Sequence, residues 1–226
     1  MGTRHLVCVV VDKKMKVAQY GQWDGYLEGQ GKTIFEFIRD KMNLDRFKQA
    51  VRECRWLTAK QIRQTWINAG DDPNNKSGGV SLDIADKHAI LYPGINRDTG
   101  AKILSLIQDG KFTKQVRIPK GKDDYEWGRK EFTCDPVRGL MNDKSFASDS
   151  LFCEWAYVLD LDKEVLEIYC GFNQGKSVGR FAKLKTKEGE KYGAITIWKT
   201  LTFDEVREKG KLEELQAEYE KENEDD

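Results

Sequence analysis

Residues 20–31 hold the side chains best suited to chemistry: four glycines, three aromatic residues and two carboxylates. Glycines at this density predict backbone conformations, or close backbone approaches, that other residues avoid. Aromatic rings offer flat stacking surfaces, and the polar side chains between them offer hydrogen bonds to a ligand. The loop over residues 22–31 is therefore predicted to bind a small polar or anionic ligand, nucleotide-like molecules included.

Each residue type in this loop has a role in such a site. Trp23 and Tyr26 are expected to stack on a planar ligand, while Asp24 accepts hydrogen bonds from it. Backbone amides near Gly31, at the start of a predicted helix, are expected to bind an anionic group beside a cationic side chain. A second interpretation needs no ligand, because Asp24 can bond backbone amides in a turn that the two rings fix to the core. The predicted ligand-binding residues are Arg4, Gln22, Trp23, Asp24, Tyr26, Glu28, Gly29, Gly31 and Lys32.

The end of this loop resembles a phosphate-binding P-loop, since residues 29–33 read Gly-Gln-Gly-Lys-Thr. The motif requires a glycine five positions before Gly31, where this chain has Tyr26. The preceding hairpin also differs from a parallel strand–helix–strand unit. Nucleotide hydrolysis is therefore not predicted, whereas anion binding at the helix start stays open.

Other candidate groups favour structural roles. Glu154, Asp160 and Asp162 could provide acid–base catalysis or bind a divalent ion. The last two flank a predicted hairpin turn, however, where aspartate is favoured for its own hydrogen bonds. His5 and His88 are the only histidines, and no serine has an evident histidine and aspartate partner. The sequence predicts no metal site and no cofactor, and it leaves enzyme activity open.

Composition and charge disfavour several classes of protein. The chain has 38 basic and 38 acidic side chains, so no basic excess indicates nucleic-acid binding. The five cysteines form no CxxC pair, which predicts reduced, mostly buried thiols in a cytoplasmic protein. No apolar run approaches membrane length, and no membrane partner is predicted. A homo-oligomer is compatible with these features.

Hydrophobic patterns predict the strands. Residues 4–11 are apolar on both faces, which predicts a central strand covered on both sides. Residues 15–20 alternate and complete an N-terminal hairpin. Later strands are predicted over 116–118, 152–159, 165–170 and 194–201, with the middle two forming a second hairpin.

Capping signals predict the helices. Thr33 with Glu36, and Thr58 with Gln61, have the spacing of capping boxes. Helices are predicted from 33, over 44–53, from 58 to 70, over 98–108 with Asp98 as the cap, and from 202. Residues 71–79 are predicted to form an exposed loop, and residues 120–150 a functional or mobile segment.

The order of strands, then helices, then strands predicts an α+β fold, with a mostly antiparallel sheet and helices packed against it. One domain is expected over residues 1–202. A charged C-terminal helix and tail, solvated and fraying, are expected over residues 203–226.

Several segments together resemble a family of uncharacterised proteins from bacteriophages, bacteria and fungi that share a Trp-Asp-Gly-Tyr-Pro signature. This chain has Leu27 where proline is usual in the family. The resemblance implies a phage-related protein, but it implies no particular activity. The segments that carry it are residues 1–4, 20–26, 28–31, 96–101, 153–162, 169 and 171–173.

A more distant similarity is to N-terminal-nucleophile hydrolases, because a very short N-terminus enters a buried strand and a late hairpin follows. It implies an amidohydrolase that uses Thr3 or Cys8 as the nucleophile. Removal of Met1 would leave Gly2 first, and glycine carries no nucleophile. A protein-interaction module is a third interpretation, in which the 23–31 loop is packed and residues 120–150 make the contacts.

Overall fold

The computed structural model describes residues 2–75, 78–120, 125–133, 135–186 and 191–224. Its centre is a five-stranded sheet in the order β2-β1-β7-β8-β9. In two smaller sheets β3 pairs with β6, and β4 pairs with β5. The strands are β1 (His5–Val11), β2 (Lys14–Gly21), β3 (Arg55–Trp56), β4 (Lys111–Pro119), β5 (Tyr125–Thr133), β6 (Gly139–Leu140), β7 (Trp155–Asp160), β8 (Val165–Cys170) and β9 (Thr196–Thr202).

The main sheet joins the two predicted hairpins. β1 is antiparallel to β2 and parallel to β7, and the remaining neighbours are antiparallel. Every residue of β1 is buried, which is what an apolar pattern on both faces predicts. The predicted α+β class with a mostly antiparallel sheet is therefore confirmed, and so is the placement of both hairpins in one sheet.

Most helices lie between the two hairpins in the sequence, and the last two follow the final strand of the sheet. Two π-helical turns, Leu27–Gly31 and Phe37–Lys41, extend the first helix on either side. The helices are α1 (Lys32–Glu36), α2 (Leu44–Arg52), α3 (Ala59–Ala69), α4 (Leu82–Leu91), α5 (Ile103–Asp109), α6 (Phe203–Arg207) and α7 (Lys211–Glu224).

Most predicted helix starts are present, but those at Thr33 and Asp98 are not. Thr58 forms the predicted capping box with Gln61 at the start of α3, and Thr202 caps α6 in the same way. The predicted box at Thr33 is wrong, because the helical backbone already begins in the π-helical turn before it. The Thr33 hydroxyl instead donates to the Gly29 carbonyl at 3.4 Å, so the residue lies inside the helix.

Other differences concern segments with weak periodicity. No pattern in the sequence predicts α4. Asp98 does not cap α5, because this helix begins at Ile103 after a 3₁₀ turn (Gly100–Lys102). β4 is longer than the predicted 116–118 strand, and β5 and β6 lie inside the 120–150 segment. Within the predicted 71–79 loop Asp71 is buried and pairs with Arg63. Residues 76–77, 121–124 and 134 lie outside the described residues.

Two apolar clusters cover the sheet. The odd-numbered residues of β1, such as Val7 and Val9, face the helices and form the larger cluster. The even-numbered residues, such as Leu6 and Cys8, face the other side together with Phe181 and Ile195. This alternation places each β1 residue on a known face of the sheet.

The C-terminal helices pack on the larger cluster. The buried residues there are Phe203 and Val206 of α6 and Leu215 of α7. The ring of Tyr219, also in α7, contacts the Trp155 ring and forms an edge-to-face contact with the Trp198 ring. The prediction of a solvated tail is therefore wrong for this face of α7, because its few apolar residues recur at helical spacing. Residues 225–226 lie outside the described residues.

The described cysteines Cys8, Cys54, Cys153 and Cys170 are free, and the first three are buried, as predicted. The fifth, Cys134, lies outside the described residues. Within the described part of the chain, no helix is long and apolar enough to cross a membrane. Cytoplasmic location stays a prediction.

Candidate functional site

The predicted loop leaves the sheet at one end, beside the first residues of two central strands. His5, at the start of β1, lies opposite both Gly21, at the end of β2, and Trp155, at the start of β7. Trp155 in turn lies opposite Cys170, at the end of β8. Residues that precede β1 and β7, or follow β2 and β8, therefore gather at this end of the sheet.

Two glycines bring the loop backbone onto buried side chains. A Cβ atom on Gly21 would lie within 3.0 Å of three atoms of the fully buried His5 ring. Gly25 donates its amide to the Thr3 carbonyl at 2.9 Å, and its carbonyl accepts a hydrogen bond from the Tyr157 hydroxyl at 2.9 Å. The close approaches that these glycines predicted are thus made with the protein itself.

Three amides near the helix start also donate within the loop. The amides of Gly29 and Gly31 donate to the Tyr26 carbonyl at 3.1 and 3.2 Å, and the amide of Gln30 donates to the Asp24 carbonyl at 2.8 Å. The following helix, α1, has only five residues. An anionic group bound by these amides would have to replace their internal hydrogen bonds, which makes this part of the predicted site costly to use.

The predicted stacking rings are both exposed, with Trp23 at 52% and Tyr26 at 40% of their full surface. The Trp23 indole N–H donates to Asp98 at 3.0 Å, and Gly2 lies against the ring. Asp24 stands between the two aromatic residues, exposed and with a left-handed φ of 55°. Aspartate tolerates this conformation better than most residues. The loop therefore presents two rings and a carboxylate to solvent.

Glu28 and Lys32 are predicted ligand-binding residues that, within the ranges that the structure describes, share no hydrogen bond or ion pair with Trp23 or Arg4. Glu28 accepts a hydrogen bond from Gln216 of α7 at 2.6 Å, and Lys32 is exposed at the first position of α1. The structure thus separates the predicted residues into two groups.

The group around Tyr20 contains two arginines. Burial raises the pKa of the Tyr20 hydroxyl, and the positive charges of Arg4 and Arg97 act in the opposite direction. This hydroxyl donates to Gln22 Oε1 at 2.6 Å, and the Gln22 amide donates to the Arg97 carbonyl at 3.0 Å. In the described part of the chain, neither guanidinium has a carboxylate at ion-pair distance. The two arginines therefore lie beside a tyrosine and a glutamine without a direct ion pair among the described residues, while the negative charges of Asp143 and Asp98 also act on Tyr20.

Arg4 also has an aromatic partner. Its guanidinium carbon lies 4.5 Å from the centre of the Phe152 ring, in a cation–π contact, and that ring is 43% exposed. Its amide donates to Glu154 at 3.1 Å, which holds the chain before β1 against the start of β7. We call the group formed by Arg4, Tyr20, Gln22, Trp23, Arg97 and Phe152 the arginine–aromatic site.

The sequence prediction included Arg4, Gln22 and Trp23 of this group but missed the others. The sequence patterns place Tyr20 at the end of a strand and Phe152 at the start of one, and Arg97 directly before the predicted cap Asp98. The only signal in the sequence was that Arg97 and Phe152 fall in, or next to, segments that share the family resemblance. Their approach to the loop depends on strand order.

His5 lies beneath the loop, where the Thr3 backbone is the polar group that acts on its ring. Neither ring nitrogen has a hydrogen-bond partner within the described residues, and neither does the buried Gln19 Oε1 on the same face. Burial lowers the pKa of His5 to about 4, so its imidazole is neutral at pH 7. A neutral, shielded ring of this kind is suited to packing.

The predicted carboxylates Asp160 and Asp162 both have structural partners. Asp160 and Glu167 are both buried, and both form ion pairs with Arg180. Arg180 Nε lies 2.7 Å from Glu167 Oε2. Asp162 accepts hydrogen bonds from the amides of Asp12 and Lys13, at 2.9 and 2.7 Å, where the two hairpin turns meet. Among the described residues, no group of three or more His, Cys, Asp or Glu side chains could hold a metal ion.

The candidate nucleophiles differ in their surroundings. Burial raises the pKa of the Cys8 thiol, which is fully enclosed in the smaller apolar cluster. A shielded thiol is a poor nucleophile because the thiolate is the reactive form. Thr3 is half-buried, and its carbonyl holds Gly25. The hydrolase similarity has no further support from these contacts.

No family model matches the chain, and neither a curated protein nor a solved structure matches it. The resemblance to the phage, bacterial and fungal family therefore stays a prediction.

Proposed function

We propose that the protein binds a small planar ligand with an anionic group, such as a nucleotide-like molecule, at the arginine–aromatic site. The observation that carries this proposal is that Arg4 and Arg97 both act on Tyr20 without a carboxylate at ion-pair distance in the described residues, and that Arg4 lies over the exposed Phe152 ring. A planar anion would satisfy both features at once, because guanidinium groups pair with phosphate or carboxylate and rings stack on flat ligands.

The division of roles follows from the contacts. Trp23 would stack on the planar part of the ligand, and this contact is worth about 1–3 kcal/mol per base. Arg97 and Arg4 would bind the anionic group, each through charge-assisted hydrogen bonds worth about 1.5–3 kcal/mol. Asp24, exposed next to Trp23, would accept hydrogen bonds from the ligand. The amides of Gly29 and Gly31 receive no role, because they donate within the loop.

Preorganisation favours binding at this position. Trp23 is held by its hydrogen bond to Asp98, and Gln22 is held by both Tyr20 and Arg97. Groups fixed before the ligand arrives lose less conformational entropy on binding. The glycines at positions 21 and 25 contribute indirectly, because they anchor the loop on His5 and Tyr157.

A thermal-shift screen against nucleotides and anionic metabolites tests the proposal. A ligand that binds only the folded protein raises the melting temperature by mass action. Trp23→Ala and Arg97→Ala are expected to abolish the shift while the proteins stay folded. Arg55→Ala is the matched control, because Arg55 is an exposed arginine on β3 and not part of the site. Normal shifts with both site variants would place the ligand elsewhere.

A protein-interaction module is the second candidate function, and one observation favours it. Leu151, Phe152 and Phe172 are exposed by 38%, 43% and 54% near the same end of the sheet. Exposed apolar side chains that cluster are typical of protein interfaces. A sedimentation experiment with the purified chain would detect self-association, which Phe172→Ser should weaken. A strictly monomeric protein would remove the homo-oligomer from this candidate.

A further inference from the structure

A cavity lies apart from the arginine–aromatic site, with no lining residue in common, although its residue Ile95 is two positions before Arg97. It has a volume of about 510 Å³ and opens between α3, α4 and the segment around β6. Its walls include Leu57, Thr65, Ile90, Pro93 and Val137. Ligand cavities in proteins commonly have volumes of roughly 300–1,000 Å³. The space is therefore large enough for a small organic molecule.

The floor of the cavity is rigid. A Cβ atom on Gly94 would lie within 3.0 Å of the Gly139 carbonyl oxygen, so the 3₁₀ turn (Pro93–Ile95) is seated directly on β6. The Pro93 carbonyl accepts a hydrogen bond from the Thr99 hydroxyl at 2.7 Å, and β6 pairs with β3. This cavity does not depend on a mobile loop for its shape.

Most polar groups around the cavity already have partners; among the described lining side chains, the exception is the exposed carboxylate of Asp135. The Thr65 hydroxyl donates to the Ile62 carbonyl at 2.6 Å and lies 2.9 Å from His88 Nε2. Arg138 binds Glu53 at 2.7 Å and donates to the Ile107 carbonyl at 2.7 Å. Groups with such partners have little capacity left for a polar ligand, so apolar contacts dominate what the cavity offers.

The mouth of the cavity exposes apolar side chains of α4. Ile90 and Leu91 line it and are 60% and 50% exposed. Contact with an apolar molecule would remove these side chains from water, at about 25 cal/mol for each Å² buried. An anionic ligand would lose hydration in the same place, because Arg138 already has partners and the Asp135 carboxylate would repel it. The volume of the cavity, its lining and the apolar residues at its mouth therefore all favour an apolar small molecule.

We propose that this cavity binds a neutral, mainly apolar small molecule, independently of the ligand at the arginine–aromatic site. Its floor is formed by Pro93, Gly94 and Gly139, and its mouth by Ile90 and Leu91. The concave shape and the volume of about 510 Å³ favour a small molecule over a protein partner.

A fluorescence titration of the full chain with N-phenyl-1-naphthylamine tests this assignment, since this neutral probe brightens in apolar cavities. Ile90→Glu places a charge at the mouth and is expected to weaken probe binding by at least about tenfold. Leu82→Glu is the matched control: Leu82 is 84% exposed on the same helix and does not line the cavity. Its affinity for the probe should equal that of the unmodified chain.

Leu91→Glu provides a second variant at the mouth, and circular dichroism checks that each variant is folded. Saturable binding that both mouth variants lose and the control keeps supports the cavity. The absence of saturable binding to the unmodified chain would overturn the proposal. So would equal losses in all three variants, which would indicate adsorption on the apolar surface of α4, and so would normal binding by the folded mouth variants.

Discussion

Gly21→Ala should destabilise the protein because the new methyl group meets the His5 ring. The added Cβ would lie within 3.0 Å of three ring atoms, whereas carbon atoms normally pack about 3.5–4.0 Å apart. His5 is fully buried and cannot swing into solvent. Overpacking of this kind costs about 1–3 kcal/mol. Because the closest approach, to Cε1 of the ring, is far shorter than normal carbon packing, we take the upper end of this cost, about 3 kcal/mol. Alanine in a strand recovers about 0.5–1 kcal/mol relative to glycine, so we expect a net loss of about 2 kcal/mol.

A double-mutant cycle with His5→Ala isolates this contact. Without the imidazole, Gly21→Ala should become slightly stabilising, by about 0.5 kcal/mol. The coupling between the two positions would then be about 2–3 kcal/mol, within the range for residues in contact. Urea denaturation of the four proteins, followed by tryptophan fluorescence, measures each free energy of unfolding.

The matched control is Gly175→Ala, since the nearest atom to its added Cβ is Asn173 Oδ1 at an ordinary 3.6 Å. This change should stay within about 0.5 kcal/mol. If Gly21→Ala destabilises equally with and without His5, or has no effect, close packing against His5 is not the reason for the glycine. The reasoning about the loop would then fail.

Two further predictions concern buried charge. Because burial lowers the pKa of His5 to about 4 from its usual 6.5, its neutral form stabilises the fold above pH 6.5. That stability is lost as the pH falls toward 4, by about 3 kcal/mol in total, and urea denaturation of His5→Ala should lack this part of the pH dependence. Arg180→Leu leaves Asp160 and Glu167 buried without their cation, so it should cost about 3–5 kcal/mol. Arg39→Leu, at an exposed ion pair, should change the same measurement by no more than about 0.5 kcal/mol, and equal effects would contradict the second prediction.

The sequence predicts well those elements whose signals are local. The apolar run over 4–11 predicts β1 because every position of this strand is buried. Thr58 and Gln61 predict the start of α3 because both capping partners lie within one turn of the helix. Thr33 has the same spacing but fails, since a π-helical turn precedes it. α4 is missed because Leu82 and Ile90 are exposed, so its apolar residues do not mark a buried face.

The candidate site was less predictable because its contacts are distant in sequence. A glycine that approaches the protein's own side chains, as Gly21 approaches His5, produces the same pattern as one that approaches a ligand. Arg97 reaches the loop through the Gln22 amide, across about seventy residues of chain. No periodicity indicates such an approach. Trp23 is predictable as a candidate because its glycine and polar neighbours mark a loop, although its exposure is known only from the structure.

Calorimetric titration of the ligand selected by the thermal-shift screen tests the central claim most directly. Trp23→Ala should raise the Kd by about 5- to 150-fold, which corresponds to the loss of about 1–3 kcal/mol of stacking. Arg97→Ala should weaken binding by at least about tenfold, whereas Arg55→Ala should leave the Kd unchanged. Unchanged affinity in both site variants, or an equal loss in Arg55→Ala, would contradict binding at the arginine–aromatic site.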